Sequence, residues 1–177
     1  MRLPLTKKPD RPSLDRRQAP LRLAAAVLVL LIVSAAPAFA DATVFIGSTA
    51  TPANRSVKGL AFGVGLLVLG FEFEFAQTAE TLDEAAPLLR TGMGNVLLQT
   101  PIPIAGIQFY VTTGGGVYRE RLGASEETHF GLNAGGGAKI SLVGPLRARL
   151  DYRVFRLRGE PLHPVVHRVY AGLNLGF

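Results

Sequence analysis

Phe71-Glu72-Phe73-Glu74-Phe75 places three aromatic rings on one face of an extended chain and two carboxylates on the other, because successive strand side chains point to opposite sides. Which set faces inward separates two kinds of protein. A water-soluble sheet buries the rings. A sheet standing in hydrocarbon turns them outward, because lipid solvates no charge and every backbone group must be paired within a closed sheet. Alternation alone does not choose between the two, so the neighbouring segments have to.

The same period recurs along the chain after residue 40. In Arg147–Val154, Ala148, Leu150, Tyr152 and Val154 share one face, and Arg149, Asp151 and Arg153 share the other. In the last segment Val169, Ala171, Leu173, Leu175 and Phe177 alternate with Arg168, Tyr170, Gly172, Asn174 and Gly176. The face opposite the apolar one is small or charged: Gly59, Ala61, Gly63 and Gly65 in one stretch, Gly131, Asn133, Gly135, Gly137 and Lys139 in another. Strands are expected at 42–50, 57–67, 69–80, 90–99, 106–118, 128–142, 146–157 and 165–177. Between them, short connections (around Val68-Leu69, Thr100–Ala105 and Val143-Gly144-Pro145) alternate with longer polar ones (Thr51–Ser56, Thr81–Leu89, Arg119–Glu127 and Arg158–Pro164). That alternation suits an all-β fold, an eight-stranded antiparallel up-and-down transmembrane β-barrel with turns at one end and loops at the other. Thr81–Leu89 is read as an irregular polar loop.

Residues 1–40 read as a separate segment. Leu23 begins an apolar run, LAAAVLVLLIVSA, too short for a bilayer span of ~20 residues. Arginines and lysines precede it and the small residues Ala38 and Ala40 follow, which is the order of a cleavable signal peptide. The expected division is therefore a signal peptide at 1–40 and a barrel domain at 41–177, with export to the bacterial outer membrane. Of the 19 basic and 13 acidic residues, seven basic and two acidic lie in this leader. The remainder is close to neutral, so the overall charge of +6 supports no nucleic-acid partner. The absence of cysteine excludes disulfides and thiolate metal sites.

The closing stretch Val169-Tyr170-Ala171-Gly172-Leu173-Asn174-Leu175-Gly176-Phe177, with hydrophobes at alternate positions and a terminal Phe, resembles the last strand of bacterial outer-membrane β-barrels. The region 42–177 as a whole looks like the small eight-stranded OmpA/OmpX-type barrel domain. The resemblance implies that Val169, Ala171, Leu173, Leu175 and Phe177 form a signal read by the β-barrel assembly machinery and periplasmic chaperones. It also implies outer-membrane lipid as the surrounding medium, a monomer, and a lumen crossed by charge ladders. Wall tethering of the kind seen in longer OmpA proteins is not expected.

If the apolar faces look outward, Glu72, Glu74, Lys139, Arg147, Arg149, Asp151, Arg153 and Arg168 form an interior charge network. Buried charges are costly unless paired. Glu72 and Glu74 are expected to reach Arg147, Arg149 or Arg153 across the lumen, and Asp151 to meet Lys139 or Arg168. Phe73→Arg is expected to harm folding far more than Glu74→Gln. Tyr110, Tyr118 and Tyr152 are assigned to aromatic girdles at the headgroups, whereas Tyr170 is inward by parity. The histidines His129, His163 and His167 lack the spacing of a metal site. Ser125 with His129 is the one pairing that a barrel hydrolase could use, and no motif supports it. No catalytic residue, metal or cofactor is expected, and the chain is read as a non-enzyme. The leading function is a structural or interaction protein presenting surface loops, its interior plugged by charge. A low-conductance pore and a soluble lipocalin-like periplasmic ligand-binding barrel stand as alternatives.

Overall fold

The computed structural model describes residues 39–177; residues 1–38 of the expected leader, including Ala38, lie outside them, and Ala40 lies within. Eight strands follow in chain order: β1 (Phe39–Thr49), β2 (Arg55–Leu66), β3 (Leu69–Thr78), β4 (Leu88–Gln99), β5 (Ile107–Leu122), β6 (Ser125–Val143), β7 (Leu146–Leu157) and β8 (Val165–Gly176). Each pairs antiparallel with the next, and β8 returns to pair with β1, so the sheet closes on itself. Closure leaves no row of unpaired backbone groups along an edge. Ala40 and Phe177 complete the seam, each donating its backbone N–H to the other's carbonyl, at 3.0 and 2.8 Å. β1 thus begins two residues before Asp41.

Sidedness follows the inside-out pattern. Phe71, Phe73 and Phe75 are 54, 64 and 53 % exposed, while Glu72 and Glu74 are 2 and 0 % exposed. The outward face continues around the wall in Val44, Ile46, Phe62, Val64, Val96, Val111, Phe130, Leu150, Leu173 and Leu175, all exposed. The lipocalin-like alternative required the phenylalanines inside, and it falls on this observation.

Glycine, ordinarily unfavourable within a strand, lets the small barrel hold large polar side chains. A Cβ on Gly137 would press against the Leu150 carbonyl and lie 2.8 Å from the Tyr110 ring. Gly114 and Gly63 are similarly hemmed by the inward chains of Asn95 and Asp41.

The connections differ in part from the expected alternation. Arg119–Glu127 is not a loop: β5 and β6 continue to a turn of Gly123-Ala124, with Gly123 at φ +60°. Charged residues suit a hairpin that extends into water, since the ladder pairs backbone groups whatever the side chains. Arg119 and Glu126 meet across it at 3.2 Å. The connection after β4 is longer than expected and is pinched by a bridge between Ile104 and Ile107. Within Thr81–Leu89 a single 3-10 turn, Leu82–Glu84, replaces the irregular loop, closed by pairing of Thr81 with Ala86.

Candidate functional site

The lumen gathers charged side chains from strands far apart in sequence. β3 contributes Glu72 and Glu74, β7 contributes Arg149, Asp151 and Arg153, and β8 contributes Arg168. In a two-faced strand, i and i+2 point the same way, so Arg149-x-Asp151-x-Arg153 forms a ladder of alternating sign. Asp151 accepts from Arg149 Nη2 at 3.1 Å and Arg153 Nε at 2.9 Å. Across the lumen Glu72 accepts from Arg149 through both terminal nitrogens and from Arg153 Nη2 at 2.7 Å. Glu74 lies 3.0 Å from Arg153 Nη1 and accepts from Arg168 Nη1, also at 3.0 Å.

Three guanidinium groups and three carboxylates therefore compensate one another. All six residues are no more than 3 % exposed. Charge-assisted hydrogen bonds of this kind are stronger than neutral ones, and each carboxylate oxygen has a donor to offset its loss of water. Tyrosines complete the set. Tyr110 Oη donates to Asp151 and accepts from Arg149 Nε, and Tyr170 Oη donates to Glu74 at 3.3 Å.

Asp151 meets neither Lys139 nor Arg168, the partners expected for it. Its own strand supplies cations two residues to either side, and these are nearer. Lys139 pairs instead with Asp41 on β1, and Arg168 with Glu74. Arg147 is half-buried at the turn end and enters no ion pair among the described residues. Tyr110 and Tyr118 are not girdle residues: both are buried inward, their hydroxyls held by Asp151 and by the Arg158 carbonyl. Tyr152 does face outward, with its hydroxyl 2.8 Å from His167 Nδ1. Asp41 and Tyr110 are lumen residues that the pattern reading missed. Parity on β5 would have found Tyr110, which shares a side with Gly114 and Gly116.

The lumen is layered along its axis. On the loop side of the network, Leu89, Met93, Tyr118, Phe155, Leu157 and Val166 pack into an apolar cluster. The Arg168 guanidinium lies 4.3 Å from the centre of the Phe155 ring, joining the two layers. On the turn side a cavity of about 240 Å³ is lined by Asp41, Glu72, Lys139, Arg147, Gln99 and Gln108, among others. Val169, Ala171, Leu173 and Leu175 occupy alternate outward positions of β8, and Phe177 is exposed beyond its end. No group of His, Asp and Glu among the described residues has the geometry of a metal site. Ser125 and His129 lie four residues apart on one strand, a separation of about 13 Å, too far for a hydrogen bond.

No family model and no curated protein matches this sequence, but solved structures match its fold. Neisserial surface protein A superposes with a TM-score of 0.65 at 14 % identity, covering 80 % of this chain and 98 % of its own. The N-terminal β-barrel domain of Pseudomonas aeruginosa OprF gives 0.59 at 13 % identity, covering 78 and 97 %. The outer-membrane enzyme PagL gives 0.50 at 11 % identity, covering 76 and 98 %. At these identities the likeness is one of fold: the closed barrel of small outer-membrane proteins.

Proposed function

We propose that the mature chain is an outer-membrane barrel with a structural or interaction role, standing in the bilayer as a monomer and presenting its loop end to the outside. The observation that carries this reading is the wall itself, apolar around its circumference and enclosing a compensated set of charges. In water such a surface would be an aggregation site; in hydrocarbon it is the only stable arrangement. The shared fold of outer-membrane barrels supports the same location, and export through the N-terminal signal segment fits it. On this reading the assembly machinery receives the chain through β8 and Phe177.

The lumen is closed to ions in this proposal. Arg149, Arg153 and Arg168 fill the cross-section with no exposed surface, and the apolar cluster stands behind them. PagL is described as an enzyme, but Ser125 and His129 cannot act as a pair here, so no catalytic role is proposed. Extraction and electrophoresis test the location: the mature protein should need detergent for solubility and migrate differently before and after boiling. Release by osmotic shock without detergent refutes it. Planar bilayer recording tests the closed lumen, and steady conductance abolished by Arg149→Ala refutes that part.

A further inference from the structure

The turn-side cavity is blind. Glu72, gripped by Arg149 and Arg153, stands at its inner end, and the exposed Pro101 and Pro103 stand at its mouth. Four charged side chains line it: Asp41, Glu72, Lys139 and Arg147. Three of them are already matched. Lys139 pairs with Asp41, and Glu72 holds its two arginines. Arg147 is half-buried and has no acidic partner among the described residues, so the cavity carries one uncompensated positive charge.

Its neutral lining is equally directional. Gln99 Nε2 donates to the Leu67 carbonyl at 3.3 Å and Gln108 Nε2 to the Thr100 carbonyl at 3.0 Å. Each amide nitrogen is thereby tied to a turn, and each Oε1 is left to accept. Leu97 and the two prolines add apolar surface. Gly63, Gly65 and Gly70 keep the space open, since these inward positions of β2 and β3 carry no side chain. At about 240 Å³ the cavity has room for about eight water molecules at ~30 Å³ each, or for a solute with a similar number of non-hydrogen atoms. A guanidinium binds a carboxylate through two parallel hydrogen bonds, and the amide oxygens suit a hydroxyl or ammonium donor. A monoanion cancels the single free charge, whereas a dianion overshoots it.

We propose that this cavity binds a small monocarboxylate carrying a hydroxyl or amino group, its carboxylate on Arg147 and its donor on Gln99 or Gln108. The solute enters between the turns and goes no further, because the arginine–glutamate network closes the lumen beyond Glu72. The inference goes beyond the structural or interaction role. It rests on the membrane reading only for the compartment that the mouth faces, because the cavity belongs to the barrel itself.

Lactate is the probe, followed by nuclear magnetic resonance of the folded mature protein in detergent micelles. Titration should shift the side-chain signals of Arg147, Gln99 and Gln108 and saturate, while methyl lactate, which lacks the charge, and sulfate, a dianion, should bind far more weakly. Arg147→Gln should weaken lactate binding about tenfold or more, the share of one charge-assisted hydrogen bond, and Arg147→Lys should bind more tightly than Arg147→Gln. Gly70→Val tests the space without touching the charge. A Cβ there makes an ordinary 3.5 Å contact with Leu97 Cβ, so the valine fills the cavity and should abolish binding. Boiling-dependent mobility verifies that each variant is folded. No saturable shift with lactate, methyl lactate or sulfate binding as tightly as lactate, or unchanged affinity in Arg147→Gln overturns the proposal. A protein that folds and binds lactate without detergent upholds the site and overturns the membrane reading instead.

Discussion

Removing the charge of Glu74 should destabilise the barrel far more than removing that of Glu72, although the two residues share a strand, a face and near-complete burial. The difference lies in what each leaves behind. In Glu72→Gln, Arg149 keeps Asp151 at 3.1 Å, and Arg153 keeps both Asp151 and Glu74. In Glu74→Gln, Arg153 still has two carboxylates, but Arg168 has none; its remaining neighbours are the Thr91 hydroxyl at 3.4 Å and the face of Phe155. Arginine cannot shed its proton to escape. An uncompensated buried charge costs about 3–5 kcal/mol, whereas weakening charged hydrogen bonds that keep other partners costs about 1.5–3 kcal/mol. Against a domain stability of about 5–15 kcal/mol, the first is a large fraction. Urea titration in phospholipid vesicles, read by boiling-dependent mobility, measures both. The decisive comparison is the double variant Glu74→Gln with Arg168→Gln, which removes both charges and should recover much of the loss, a coupling of roughly 2 kcal/mol. Equal costs for the two glutamates, or strictly additive losses in the double variant, would refute the account of Arg168 as the singly compensated cation. On this reasoning Glu74→Gln costs about as much as Phe73→Arg, where the sequence alone led to the expectation that Phe73→Arg is far the more harmful.

Phe73→Arg puts a charge on the outward face and should cost about 2–4 kcal/mol if that level is near the midplane, measured by the same titration; a loss within error of Phe73→Leu would count against lipid contact there. Gly137→Ala should cost about 1–3 kcal/mol, because its methyl meets the Leu150 carbonyl and the Tyr110 ring and an overpacked interior must shift backbone. Gly92→Ala should be close to neutral, since the outward methyl would make an ordinary 3.5 Å contact with Phe75; a similar loss in both would show that strand propensity, not crowding, governs these glycines. Deleting Phe177 removes the last member of the outward apolar row Val169, Ala171, Leu173, Leu175 and Phe177 and should lower the yield of folded, boiling-sensitive protein on insertion into vesicles.

The strand count and the two faces were legible because both follow from a period of two, and an error of one residue would have inverted every side chain. Phe71–Phe75 and Arg149–Arg153 are each long enough to fix parity without help from neighbours. Partner choice inside the lumen was not legible. It depends on how far the strands are staggered around the barrel, and stagger is set by turns such as Leu67-Val68, where Leu67 adopts φ +52° with no glycine to announce it. The hairpin of β5 and β6 was hidden for a different reason: its charged residues carry the signature of a loop, yet water on both faces of a paired ribbon permits the same composition. Tyr110 was misplaced because aromatic residues near strand ends occur both in headgroup girdles and in small lumens, and only its parity with Gly114 distinguishes the two.

The glycines and the arginines of this barrel belong to one solution. Eight strands enclose an interior just wide enough for side chains, so each long inward chain requires an inward vacancy opposite or beside it. Gly135 lies in register with Arg153, and Gly137 with both Asp151 and Tyr110. Filling those vacancies with methyl groups would displace the arginines, which have no apolar substitute able to hold Glu72 and Glu74. Conversely, truncating the arginines would leave the glycine-lined wall facing a cavity and the carboxylates unpaired. The outward glycines follow another rule: a Cβ on Gly92 or Gly94 would lie 3.5 and 3.7 Å from the rings of Phe75 and Phe73, so aromatic side chains from β3 shield the bare backbone of β4 on the lipid side. The alternating sequence with which the chain was first read thus encodes two packing problems at once, one solved by charge pairing around small residues and the other by rings laid over them.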